Sequence, residues 1–181
     1  MSVVVLVALA VAVVLLVRLH TLPTGLSPAR DAVSDYGTTR WHALYRGQAI
    51  ALGVAGIALA IKLGSDTDAG SLLWLWLYGA SRIAIAGFMT DRDPPPFTRE
   101  GRIHWLLAAV AFTSIAVGAA NIDWSGAPSG LSALGELVAV AAIATLVTRV
   151  VPPLRAVFGV AERALYVTSI AWLAWAAIAV L

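Results

Sequence analysis

Long, unbroken runs of apolar residues alternate along this chain with short polar stretches in which Gly, Pro, Asp and Arg gather. The runs are Met1 to about Val17, Leu44 to Ile61, Leu72 to Met89, Ile103 to Ile122, Leu131 to Val151 and Ala164 to Leu181. Each approaches the roughly 20 residues that a helix needs to cross a hydrocarbon core about 30 Å thick. The pattern therefore predicts an all-α fold, an integral membrane bundle of six transmembrane helices, in one domain over residues 1–181. The breaks agree with it. Gly64-Ser65-Asp66 and Ser125-Gly126-Ala127-Pro128 make short links, while Asp93-Pro94-Pro95-Pro96 and Pro152-Pro153 stop helices. Only the first loop, His20 to about Trp41, is long, and Pro23, Gly25 and Pro28 argue against a further span within it. No Lys or Arg precedes the first run and Arg18 follows it, the reverse of a secretory signal, so a retained helix is expected.

Composition sharpens this picture. With 60% hydrophobic residues, 12% charged and a mean hydropathy of +0.88, the chain lies outside the soluble range. Six spans use about two-thirds of it, which leaves no room for a soluble catalytic domain. Any activity has to come from helix ends, loops and the bundle interior. The absence of cysteine removes disulfides, thiolate catalysis and Fe–S ligation. A net charge of +2 spread over loop arginines is membrane topology rather than a nucleic-acid surface.

Charge also orients the chain. Ten of the twelve basic residues, from Arg18 and Arg30 to Arg155 and Arg163, flank the first, third and fifth loops, and Lys62 alone lies near the opposite face. Lys and Arg beside short loops are retained in the cytoplasm. Both termini are expected to be extracytoplasmic, in the plasma membrane of a bacterium. Trp41 and Trp105 at one set of helix ends, and Trp74, Trp76 and Trp124 at the other, read as interfacial anchors.

The same three loops hold the candidate chemistry: Asp31, Asp35 and Tyr36; then Asp91, Asp93, Arg99, Glu100, Arg102 and His104; then Glu162 and Arg163. Arginines at that density can bind a phosphate-bearing headgroup, and carboxylates a divalent cation. The alternative is mutual salt-bridging that ties the loops together. Asp91-Arg92-Asp93 before three prolines reads first as helix capping and loop rigidity. His104 is a hydrogen-bonded structural residue, a proton-sensitive switch or an acid-base group. No HxxxH or HExxH spacing supports a metal, and none is expected.

Two charges lie well inside the apolar runs, Arg82 near the middle of the third and Glu136 about a turn and a half into the fifth. Charges in hydrocarbon pair or meet water, so each is a candidate for function, and Glu136 is the first partner to consider for Arg82. Small residues four apart, Gly56 with Ala60 and Ser114 with Gly118, permit close helix approach.

The segments Ser34-Asp35-Tyr36-Gly37, Phe88-Met89-Thr90-Asp91 leading to Pro94, Gly101-Arg102-Ile103-His104 and Ala161-Glu162-Arg163 resemble the domain of unknown function 998 family of prokaryotic membrane proteins. The similarity runs over nearly the whole chain. It implies a six-helix membrane protein with Asp35, Asp91, His104, Glu162 and Arg163 as characteristic polar positions, and it implies no activity.

The leading expectation is a bundle whose cytoplasmic mouth binds an anionic lipid or small phosphorylated ligand. Arg46, Arg102, Arg163, Glu162 and Asp93 are its binding residues, with Asp35, Asp91 and His104 as partners. The same residues allow a membrane-embedded hydrolase or transferase with His104, Asp91 and Asp35 as catalytic candidates. Arg82 and Glu136 allow a small transporter, and the small-residue faces a structural subunit with membrane-protein partners or a homo-oligomer. No cofactor is indicated, and nucleic acid is not expected.

Overall fold

A computed structural model describes residues 1–64, 67, 69–92, 98–122 and 128–180. Among these residues the regular structure is all helical: α1 (Ser2–Thr21), α2 (His42–Leu63), α3 (Ala69–Ile85), α4 (Arg99–Asn121), α5 (Ser129–Val150) and α6 (Phe158–Ala179), with 3-10 turns at Val33–Thr38 and Pro152–Val157. Five of them, α1, α2, α4, α5 and α6 with the turn before it, are long and apolar enough to cross a membrane. They imply a lipid bilayer environment. α3 has 17 residues and ends at Ile85, short of the Met89 that its apolar run suggested. There the chain tightens into successive bonds from Ala86 to Ile83, Gly87 to Ala84 and Phe88 to Ile85. This i→i+3 pattern is how helices commonly finish.

Each helix packs against its neighbours in sequence, and α6 closes the ring on α1 while also touching α2 and α4. The interior holds Leu59, Leu75, Ile115, Leu165, Trp172 and Leu173, whereas Val14, Val140, Ile143 and Val167 are exposed. Apolar side chains on both the inside and the outside are what a bundle solvated by lipid requires.

Close packing between α2 and α3 depends on two glycines. A side chain on Gly53 would meet the carbonyl oxygen of Gly79 at 2.6 Å, and one on Gly79 would meet that of Gly53 at 2.8 Å. Gly56, expected from its spacing to let helices approach, lies against Tyr78, and Gly118 lies against Trp74. The two backbones can touch because neither glycine carries a Cβ.

The first loop folds over one end of the bundle and is fastened to α6. The Val160 N–H donates to the Ala29 carbonyl at 3.2 Å, so the loop caps the start of the last helix. Gly159 makes room for this, since a Cβ there would stand 2.5 Å from the Pro28 carbonyl oxygen.

Candidate functional site

The loop is fastened by charged side chains acting on main chain. Glu162, 3% exposed, accepts the Val33 N–H at 2.6 Å. Arg163 donates to the carbonyls of Asp31 and Gly159, both at 2.9 Å, and to the Tyr36 hydroxyl at 3.4 Å. Its Nε donates to His20 Nε2 at 2.6 Å, while His20 Nδ1 meets the Leu16 carbonyl at 2.7 Å. A carbonyl only accepts, so Nδ1 carries the proton and Nε2 offers its lone pair, the neutral tautomer this arrangement needs.

The other carboxylates at this end follow the same rule. Asp31 accepts the Ser27 N–H at 2.6 Å, Asp35 the Ala32 N–H at 2.9 Å and Glu100 the Met89 N–H at 2.6 Å. Asp91 accepts both the N–H and the hydroxyl of Thr98, whose own oxygen caps α4 at Gly101. Mutual salt-bridging was the alternative suggested by the clustered charges. The hydrogen bonds of Asp31, Asp35, Asp91, Glu100 and Glu162 run to main-chain amides, each shaping a turn or helix start. Burial raises the Asp35 carboxyl above its ordinary pKa, against the opposing effect of the Ala32 N–H.

Beneath this end lies a cavity of about 610 Å³, bounded chiefly by α4 and α5. At its polar mouth stand Arg30, Arg92, Arg149 and Arg155 with Asp31, Asp35, Asp91 and Glu162. The Arg149 guanidinium lies over the Phe158 ring, 5.4 Å from its centre, and Arg155 Nε donates to the Arg149 carbonyl at 3.3 Å. Below the mouth the walls become apolar, with Ala108, Phe112 and Ala116 on α4 facing Ala139, Ala142 and Leu146 on α5. Trp105, Ile143 and Leu146 line it and are also exposed on the outside of the bundle, so the cleft opens sideways as well as at its mouth.

His104 lines the same cavity and is 2% exposed. Its Nδ1 lies 2.8 Å from the Phe88 carbonyl, so Nδ1 is the donor, and Nε2 has no hydrogen-bond partner among the described residues. The ring stacks 6.4 Å from that of Tyr45.

Of the residues singled out from sequence, Asp35, Asp91, His104 and Glu162 meet at one cavity. Arg163 is taken up by the loop, and Arg46 and Arg102 lie outside the lining, Arg102 exposed on α4. Asp93 and Trp124 fall outside the described residues. Arg82 does not pair with Glu136. It is in the last turn of α3, donating to the Tyr166 hydroxyl at 2.9 Å and to Gln48 Oε1 at 3.3 Å, while Glu136 is exposed on α5. Tyr166, Gln48 and Tyr45 were missed from sequence. Gln48, a polar residue two positions after Arg46 at the start of the apolar run of α2, was the available signal. Among the described residues, no three of His, Asp and Glu gather closely enough to hold a metal ion.

No curated protein and no solved structure matches the chain. A family described as "Protein of unknown function (DUF998)" matches residues 3–179, nearly the full length, and the chain belongs to that family.

Proposed function

We propose that the protein is a six-span resident of the bacterial plasma membrane, with both termini extracytoplasmic, that binds an anionic lipid at the arginine-rich end of the α4–α5 cleft. Six spans are supported by chain direction: α2 and α4 both begin at the arginine-rich end, so α3 has to return the chain across the thickness that α2 crossed. Orientation rests on the retention of arginine-flanked loops in the cytoplasm.

One observation carries the ligand. A mouth lined by Arg30, Arg92, Arg149 and Arg155 leads directly into an apolar cleft that opens sideways, which is the polarity of a lipid phosphate and its chain. Guanidinium groups bind phosphate through paired N–H donors. The carboxylates nearby hold main-chain amides and build the walls. Arg46 and Arg102, outside the lining, serve orientation in this reading.

Trp105 provides the assay, because bromine on lipid chains quenches a nearby indole. Brominated phosphatidate is expected to quench the purified protein at lower mole fraction than brominated phosphatidylcholine. The difference should vanish in Arg149→Ala/Arg155→Ala and shrink in Trp105→Phe. Equal quenching by the two lipids would count against the proposal.

The Nε2 of His104, without a partner among the described residues, supports a second reading, a hydrolase or transferase in which this nitrogen moves a proton at the bound headgroup. Release of inorganic phosphate from a lipid phosphate, lost in His104→Gln with lipid binding retained, is the result it requires.

A further inference from the structure

The length of the cleft narrows the class of lipid. On α4 its lining runs from His104 to Asn121, 17 residues, or about 25 Å at 1.5 Å per residue. A bilayer core is about 30 Å thick, so the chains of an ordinary phospholipid end about 15 Å down, at the midplane. Such a lipid would leave the far part of the cleft empty. The far part is mainly apolar, with Val117 and Ala120 on α4 and Ala139 on α5; Thr113 stands near the midplane, and Asn121 at the far end gives its side-chain N–H to the Val117 carbonyl.

The headgroup end narrows it further. Its four arginines come from four separate segments: the first loop, the stretch after α3, the last turn of α5 and the 3-10 turn before α6. Cations brought to one mouth from four segments suit a phosphate exposed on several sides. A terminal monoester or diphosphate meets that description, whereas a diester is covered by its second substituent.

Resting on the anionic-lipid reading above, we propose that the cleft takes a phosphate or diphosphate carried on one hydrocarbon chain long enough to pass the bilayer midplane, the chemistry of a long polyprenyl phosphate. The chain enters sideways past Trp105, Ile143 and Leu146, and its phosphate comes to rest among the arginines.

Ala139 supplies a selective block. It lies ten residues before Arg149 on α5, about 15 Å deeper, so a phenylalanine there obstructs only chains that pass the midplane. Competition against brominated phosphatidate would be measured for a long polyprenyl phosphate, farnesyl phosphate, unbrominated phosphatidate and inorganic pyrophosphate. The long polyprenyl phosphate is expected to compete at least tenfold better than the other three. Ala139→Phe should erase that advantage and leave farnesyl phosphate unchanged. Ala120→Phe, at an exposed position deeper still, gives the same test should Ala139→Phe fail to fold. Equal competition by long and short chains, or by inorganic pyrophosphate, overturns this inference and leaves anionic-lipid binding standing. Failure of brominated phosphatidate to quench in preference to phosphatidylcholine overturns both.

Discussion

Arg82 on α3 gives its Nη1 hydrogen to the hydroxyl of Tyr166 on α6, 2.9 Å away, and its guanidinium carbon lies 5.1 Å from the centre of the same ring. A phenol thus meets the charge with both its oxygen and its π-face. Gln48 on α2 adds a carbonyl oxygen. Three helices are joined through one buried cation whose described hydrogen-bond partners are neutral dipoles.

Arg82→Met and Tyr166→Phe are therefore expected to couple. A hydrogen bond to a charged group contributes about 1.5–3 kcal/mol, so a double-mutant cycle on unfolding in detergent should return an interaction term of about 1 kcal/mol or more. The cycle of Arg82→Met with Glu136→Gln should be additive. Coupling in the second cycle and none in the first would contradict the geometry described.

Glu162→Ala is expected to destabilise the fold by about 2 kcal/mol, because it strands the buried Val33 N–H. Glu162→Gln keeps an acceptor in place and should lose less. Proteolysis within residues 22–32 should accelerate in the alanine variant, since those residues depend on α6 for their anchorage. Equal stability of the alanine and glutamine variants would remove the hydrogen bond as the cause.

A β-carbon at Gly79 has nowhere to go, being met by Ile57 at 2.5 Å and the Gly53 carbonyl at 2.8 Å. Gly79→Ala should lower stability by about 1–3 kcal/mol, the usual effect of overpacking. Gly25→Ser, in open space though at positive φ, is the milder comparison. Thermal melts of the two variants would rank them.

Burial raises the Asp35 carboxyl, so the folded state holds its proton more tightly than the unfolded chain does. The stabilisation is complete below the ordinary aspartate pKa of about 3.9 and is lost as pH rises through the higher folded value. Melting temperatures should fall over that window in the native protein. Asp35→Asn should flatten the fall, and an unchanged profile in the variant would assign it to another group.

How much of this the sequence revealed depends on what each signal encodes. Apolar runs encode depth in the bilayer, so helix positions were readable, with α3 misjudged at the Gly87 turn. Depth does not tell which helix stands beside which. Arg82 and Glu136 looked like partners on that basis, yet α4 packs between α3 and α5, and Tyr166 arrives from α6. Nor could the arginines at the cavity mouth be separated from the rest, because the positive-inside rule accounts for all ten equally. Arg163 lies against the loop and Arg149 against the cleft because of helix rotation, which a nearly all-apolar helix does not display in its pattern. The carboxylates and His104 stood out because few such groups occur near the membrane at all.

The fastening of the first loop to α6 also sets an order of assembly. Residues 29 to 36 wait for partners at 159 to 163, so almost the whole chain has to be synthesised before the arginine-rich end can form. Helices α1 to α5 emerge first and pair locally with their neighbours in sequence. Until the last helix is inserted, the mouth lacks the side chains that hold its rim, and a polypeptide truncated before α6 has no finished arginine-rich end.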